Sequence, residues 1–157
     1  MVSRRKERTL TFNRIPRDIP SLSYAYRLTR EASRFGFDWP DLSGVLNKLE
    51  EELREFREAL SLRNRRHMAE ELGDLLFVLV NVARVLEIDP EKALKGTIKK
   101  FSARFRFVEI SLRQAGKSLH QSDLAEMDRL WDEAKRRKKP GRKRAESPKL
   151  KNEPLEP

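Results

Sequence analysis

Cysteine is absent from the 157 residues, which excludes a disulfide framework and any thiolate metal site. Long apolar runs are absent too. The longest, Leu75 to Val80, falls far short of the roughly 20 residues that a membrane-spanning helix needs. The basic start, Met1-Val2-Ser3-Arg4-Arg5-Lys6, leads into no apolar segment of the kind a secretory signal requires. The expectation is a soluble cytoplasmic protein with no membrane partner, long enough for one domain with one core.

The middle of the chain also lacks net charge. The total is +10, yet residues 1–20 hold six Lys/Arg against Glu7 and Asp18. Residues 136–157 hold nine against Glu146, Glu153 and Glu156, which leaves 20 basic and 20 acidic residues between these ends. Basicity is therefore a property of the tails. The C-terminal run, with Pro140, Gly141, Pro148, Pro154 and Pro157, has too little apolar content to order itself. Any contact with nucleic acid would run through these tails. The expected organisation is a basic extension at 1–17, a domain at 18–137 and a basic, disordered tail at 138–157.

Helical periodicity fills the domain. Ser21 or Ser23 suits the cap of a first helix ending near Phe35, and Gly36-Phe37-Asp38-Trp39-Pro40 breaks it. Asp41 or Ser43 caps a second, whose Leu46, Leu49, Leu53, Phe56 and Leu60 step by threes and fours. Asn64 suits the cap of a third, reaching about Glu87. Asp89-Pro90-Glu91 is a strong helix start, and that fourth helix runs to Gly116. Ser122 or Asp123 opens a shorter fifth with Leu124, Met127, Leu130 and Trp131. Leu75–Val80 could be read as a strand, but it lies inside a longer helical pattern. The fold class is all-α, a bundle of four to five helices. The third helix is apolar nearly all round, so it must be covered on more than one side. A homodimer or dimer of dimers is the economical answer, and a monomeric bundle with this helix at its centre is the alternative.

Carboxylates interrupt that apolar helix at Glu70, Glu71 and Asp74, with Asn81 two turns beyond Asp74. Apolar neighbours predict a shielded Asp74, and a shielded charge is paired or binds a metal. The second helix offers Glu50, Glu51, Glu52 and Glu55. Glu52 and Glu55 are three apart, as are Glu71 and Asp74, so each pair projects from neighbouring turns. Antiparallel packing across the loop near Leu62–Arg66 would set the pairs face to face. Crowded oxygen ligands select a hard cation, magnesium or manganese, and magnesium favours phosphates as remaining ligands. The competing reading is an ordinary solvated Glu/Arg face on the second helix, or salt bridges to Lys or Arg. On the fourth helix, Lys100 and Arg104 could take polyphosphate oxygens or neutralise the acids with no ligand. Trp131 could stack on a base or simply pack.

Read together, Glu51-Glu52-Leu53-Arg54-Glu55, Glu71-Leu72-Gly73-Asp74 and Val80-Asn81-Val82-Ala83-Arg84 resemble the MazG family. Gly36-Phe37-Asp38-Trp39 upstream, and Lys100-Phe101-Ser102-Ala103-Arg104-Phe105-Arg106 and Met127-Asp128-Arg129-Leu130-Trp131 downstream, match it as well. The likeness covers about residues 18–137. It implies an all-α fold built around a dimer, and hydrolysis of nucleoside triphosphates to monophosphate and pyrophosphate. By motif position, Glu52, Glu55, Glu71 and Asp74 would bind magnesium, with manganese as a substitute. Lys100 and Arg104 would hold phosphates, Trp131 would sit against the nucleotide, and Asn81 and Lys135 would add substrate contacts. Glu51 or Glu55 would take the proton of the attacking water. Many members carry two copies of the domain, whereas this chain has one, closer to the C-terminal copy. Alternatives are a relative restricted to dUTP, dCTP or phosphoribosyl-ATP, and a non-catalytic helical protein that binds nucleic acid through its tails.

Overall fold

Four of the five helices open on a short polar side chain that accepts from a backbone N–H of its own first turn. The computed structural model describes residues 11–137. Asp41 takes the Gly44 N–H (3.0 Å) and Asn64 the His67 N–H (3.2 Å). Asp89 takes the Lys92 N–H (2.9 Å) and Asp123 the Glu126 N–H (2.8 Å). Each such cap is worth about 1 kcal/mol. They set the starts of α2 (Leu42–Ser61), α3 (Arg65–Val85), α4 (Pro90–Gln114) and α5 (Leu124–Arg136). The first helix, α1 (Ser21–Ser33), follows Pro20 without a side-chain cap, so neither Ser21 nor Ser23 acts as one. Two short 3-10 turns, Thr11–Arg14 and Leu119–Gln121, were not expected. Among the described residues there is no strand, and no helix is long and apolar enough to cross a membrane. The C-terminal segment expected to be disordered, residues 138–157, lies outside the described residues.

The chain divides into two compact units, one up to Lys99 and one from Lys100. In the first, α2 and α3 are joined by only three residues, Leu62 to Asn64, which folds them into an antiparallel hairpin. α1 packs on α3, and the Thr11–Arg14 turn lies against α1. Val45, Ala59, Val78 and Val80 form the buried apolar core of this unit. In the second unit, Val108 and Leu112 are buried. There Trp131 meets Phe101 with ring centres 5.2 Å apart, and Lys117 Nζ bridges to the Glu126 carboxylate at 3.0 Å.

Coverage of α3 is partial. Glu71, Val78, Val80 and Asn81 are buried, but Leu72 and Leu76 keep 49% and 50% of their surface exposed. Phe77 and Leu79 are exposed as well. Within the chain, packing covers α3 on part of its circumference only. That much contiguous leucine and phenylalanine facing outward marks an association surface more often than a solvated one.

The loop between α1 and α2 is tied down by charge. Gly36 adopts φ +81, a conformation that costs a residue with a Cβ. Two residues later, Arg84 of α3 donates from Nη1 to Asp38 Oδ2 at 2.8 Å and from Nη2 to Asp38 Oδ1. This bidentate pair holds the Asp38 carboxyl below its ordinary value of 3.8, with the Trp39 N–H adding to the effect and burial opposing it. A carboxyl with a lowered folded-state pKa stabilises the fold above the unfolded-state value and loses that contribution as pH falls through the folded one. Asp38→Asn should therefore cost about 1–2 kcal/mol at pH 7 in urea unfolding, a deficit that closes once both forms of the carboxyl are protonated.

Candidate functional site

Glu52 and Glu55 stand on successive turns of α2, and the hairpin brings Glu71 of α3 opposite them. One carboxylate oxygen from each lies within 4.8 Å of the others. Glu52 and Glu71 are buried, at 5% and 8% exposure, and Glu55 is half-buried. Burial pushes the Glu71 carboxyl above its ordinary value of 4.5, the nearby charges of Glu55, Asp74 and Glu52 add to this, and His67 opposes it. Like charges are held close in a partly desolvated seam, which is stable only when a cation shares the space.

Two basic side chains meet the edge of the triad. Lys48 Nζ lies 2.7 Å from Glu52 Oε1 and 2.9 Å from Glu51 Oε1. These two carboxylates raise the Lys48 ammonium well above its ordinary value, with burial opposing. His67 Nδ1 lies 3.2 Å from Glu71 Oε1. Neither Lys48 nor His67 was singled out from the sequence, although each sits four residues before its acid, the spacing at which helical side chains meet. The expected rival, a salt bridge to a basic residue, thus exists for Glu52. It does not neutralise the cluster, because Lys48 serves two carboxylates while Glu55 and Glu71 keep theirs.

Asp74 departs from the expectation of a shielded fourth carboxylate. It is exposed and lies outside the triad. Of the apolar neighbours expected to shield it, Val78 is buried but Phe77 is itself uncovered. Its charge still reaches Glu71. Asn81, two turns further along α3, is 2% exposed, and its Oδ1 accepts from Arg84 Nε at 3.3 Å.

The remaining candidates belong to the second unit. Lys100 is exposed. The Arg104 guanidinium lies over the Trp131 ring, 5.7 Å from its centre, a cation–π contact. Trp131 packs against Phe101, which stacks in turn on Phe105. Lys135 Nζ is bonded to Asp132 Oδ1 at 2.8 Å. The packing reading of Trp131 is thus realised in these contacts.

The donor set Glu52, Glu55 and Glu71 suits a hard divalent ion. Every ligand atom is a carboxylate oxygen, the oxygens are close enough to share one ion, and their crowding would be relieved by it. Comparison with known proteins places this hairpin in a defined setting. Residues 42–108 match the MazG nucleotide pyrophosphohydrolase domain. A nucleoside triphosphate pyrophosphohydrolase/pyrophosphatase MazG of Thermotoga maritima is 43% identical over 117 residues, which are 74% of this chain and 45% of that protein. A nucleoside triphosphate pyrophosphohydrolase of Escherichia coli K12 is 36% identical over 124 residues, 78% of this chain and 47% of that protein. An uncharacterised protein, YabN, of Bacillus subtilis is 49% identical over 65 residues, 41% of this chain and 13% of that protein. The chain spans a little under half the length of the first two relatives.

The raised Glu71 carboxyl has a measurable sign. A group whose folded-state pKa lies above its unfolded value costs stability when ionised, so the cost is present at neutral pH and disappears as pH falls below 4.5. In chelator-treated protein at pH 7, Glu71→Gln should melt above the parent. The advantage should shrink on acidification and vanish below that pH, as followed by circular dichroism melting across a pH series.

Proposed function

Residues 42–108 belong to the MazG nucleotide pyrophosphohydrolase domain family, and from this premise we propose that the chain hydrolyses nucleoside triphosphates to monophosphate and pyrophosphate with magnesium. The observation that carries the reading is the Glu52, Glu55 and Glu71 triad across the α2–α3 hairpin, inside the matched segment. The names of the relatives support the reaction class. The same reading makes the chain a cytoplasmic enzyme.

Glu52, Glu55 and Glu71 would hold the ion, with Asp74 contributing from one turn beyond Glu71. An ion held there, magnesium or manganese, would supply Lewis-acid chemistry, offsetting phosphate charge and making water a better nucleophile. Glu55 and Glu51 are the carboxylates assigned to take the proton of the attacking water. Glu51 is shared with Lys48, whereas Glu55 is half-buried beside Glu52 and Glu71. Attack at the α-phosphorus breaks its bond to the bridging oxygen, and pyrophosphate leaves. Lys100 and Arg104 are assigned to polyphosphate oxygens, where a forked guanidinium and an ammonium offset accumulating charge. Lys135 is assigned a further phosphate contact, and Trp131 is placed against the nucleotide. These four assignments rest on residue type and motif.

The exposed apolar side of α3 supports a homodimer as the working form. A face carrying Leu72, Leu76 and Leu79, each about half exposed, has the character of an obligate interface. Leu76→Glu should convert the assembly to monomers in light scattering with multi-angle detection. A parent that is already monomeric would refute this assembly.

Product analysis of the purified chain with the common ribo- and deoxyribonucleoside triphosphates tests the activity. Monophosphate and pyrophosphate should form with magnesium and stop in EDTA. Glu71→Gln should lower turnover by at least about a hundredfold, since even partners of metal ligands cost 10–100-fold when lost. Turnover confined to one triphosphate would favour the restricted relative. Release of orthophosphate with a nucleoside diphosphate would overturn the proposed bond cleavage.

A further inference from the structure

The side of α1 that faces α3 is largely apolar, and the opposite side is cationic. Leu28, Thr29 and Ala32 share a cavity of about 240 Å³ with Phe77 and Asn81 of α3. At 3.6 residues per turn, Arg27 and Arg34 stand on the other side of the helix, flanked by Arg30 and Glu31. Those four residues form one wall of a groove of about 790 Å³, and residues 14–16 form the other. This volume falls within the roughly 300–1,000 Å³ of small-molecule sites. The second wall is fixed in place. Phe12 of the Thr11–Arg14 turn lines the apolar cavity, the Ile15 N–H donates to the Phe12 carbonyl at 3.1 Å, and the turn packs on α1.

Among the described residues four arginines and one acid line this groove, a net charge of +3. The acid is already engaged, since Arg34 Nη1 donates to Glu31 Oε2 at 3.2 Å. Among the described residues no carboxylate lies within ion-pair distance of Arg14, Arg27 or Arg30. Arg27 and Arg30 also border a hollow with Glu87 and Asp89, but neither acid pairs with them. Asp89 instead holds the Lys92 N–H and lies 3.5 Å from Lys92 Nζ. Other helices supply an acid one turn from an exposed base, as Glu70 meets Arg66 and Glu133 meets Arg137. On α1 the only acid is Glu31. Guanidiniums gathered without counter-charge repel one another, and an anion between them relieves the repulsion.

Guanidinium forks take phosphate oxygens two at a time. Arg27 to Arg34 spans about 10 Å of helix axis, room for linked phosphates rather than one. No aromatic side chain is among the described lining residues. The groove therefore lacks the stacking platforms on which single-stranded nucleic acids lay their bases. We propose that this groove is a second anion site, which takes the phosphate chain of an oligophosphate, inorganic or carried by a nucleotide. All its described lining residues belong to 14–16 and α1, so it shares none with the carboxylate triad and needs no metal. The proposal goes beyond the hydrolysis reading and does not rest on it.

The test uses the full chain in EDTA at low ionic strength, where a triad without metal repels oligophosphates. Inorganic tripolyphosphate is titrated by calorimetry. Arg14→Gln and Arg27→Gln, one on each wall, should each weaken it roughly tenfold, the scale of one hydrogen bond to a charged group, while Lys100→Gln/Arg104→Gln should leave it within about twofold. The Nε–Hε NMR signals of Arg14 and Arg27, assigned through these variants, should move during the titration. Both arginines are exposed, so the variants keep the fold, which circular dichroism melting verifies. A nucleoside triphosphate should bind within about threefold of tripolyphosphate, because the base finds no stacking partner in the groove. Arginine signals that stay still would overturn the proposal, leaving any bound tripolyphosphate to the basic tails. So would a single-stranded oligonucleotide that binds far more tightly through the same arginines, which would assign the groove to a nucleic-acid backbone.

Discussion

Carboxylates packed between two helices are a liability that the rest of this structure is arranged around. Three oxygens from Glu52, Glu55 and Glu71 share a space less than 5 Å across, and two of the three residues are almost out of water. Their mutual repulsion adds to the burial that pushes the Glu71 carboxyl above its ordinary value. The hairpin keeps the residues together because α2 and α3 are joined by only three residues and share the Val45, Ala59 and Val78 core. Lys48 and His67 relieve part of the load from the rim, each from four residues upstream of its acid. What remains is a surplus of negative oxygen in one place. Structural seams avoid such surpluses, and ion sites are made of them.

How much of this could be read from the chain depends on how local its cause is. The caps Asp41, Asn64, Asp89 and Asp123 were legible because a cap is a contact within one helical turn. The same holds for Pro90 at the start of α4 and for Gly116, at φ +72, beyond its end. The pairing of Glu52 and Glu55 with Glu71 was legible because each spacing is helical and the connecting loop is short. Lys48 and His67 are equally local, but on helices rich in charge of both signs the i,i+4 spacing alone does not mark which base meets which acid. Asp74 was misread for the opposite reason. Its shielding depends on whether other elements cover Phe77 as they cover Val78, and no spacing within α3 decides that. The Thr11–Arg14 turn was missed because the basic residues around it suggested a solvated extension. Its Phe12 nonetheless lines a cavity.

The apolar circumference of α3 is the other consequence of a small chain. Among the described residues the fully buried hydrophobics are mostly valine and alanine, while many leucines and phenylalanines stay exposed. This distribution inverts the usual order, in which large side chains supply most of the burial energy. A hairpin that spends its interior on carboxylates has less apolar interior to offer. Its larger side chains are left on the outer faces, where association rather than folding buries them.

Arg84 connects these themes. One guanidinium reaches Asp38 in the loop after α1 and Asn81 on its own helix, and with 10% of its side chain exposed it does so largely out of water. Charge-assisted bonds in that setting are the stronger kind. They join two segments far apart in sequence, Gly36-Phe37-Asp38-Trp39 and Val80-Asn81-Val82-Ala83-Arg84, which the chain alone presents as unrelated motifs. Fixing Asp38 positions Phe37 and Trp39 on either side of it, and the bond to Oδ1 holds the buried Asn81 amide. A single arginine thus braces two segments that line one cavity, among them Phe37, Trp39 and Asn81. Lysine could not substitute, since one ammonium lacks the planar fork that meets two acceptors at once.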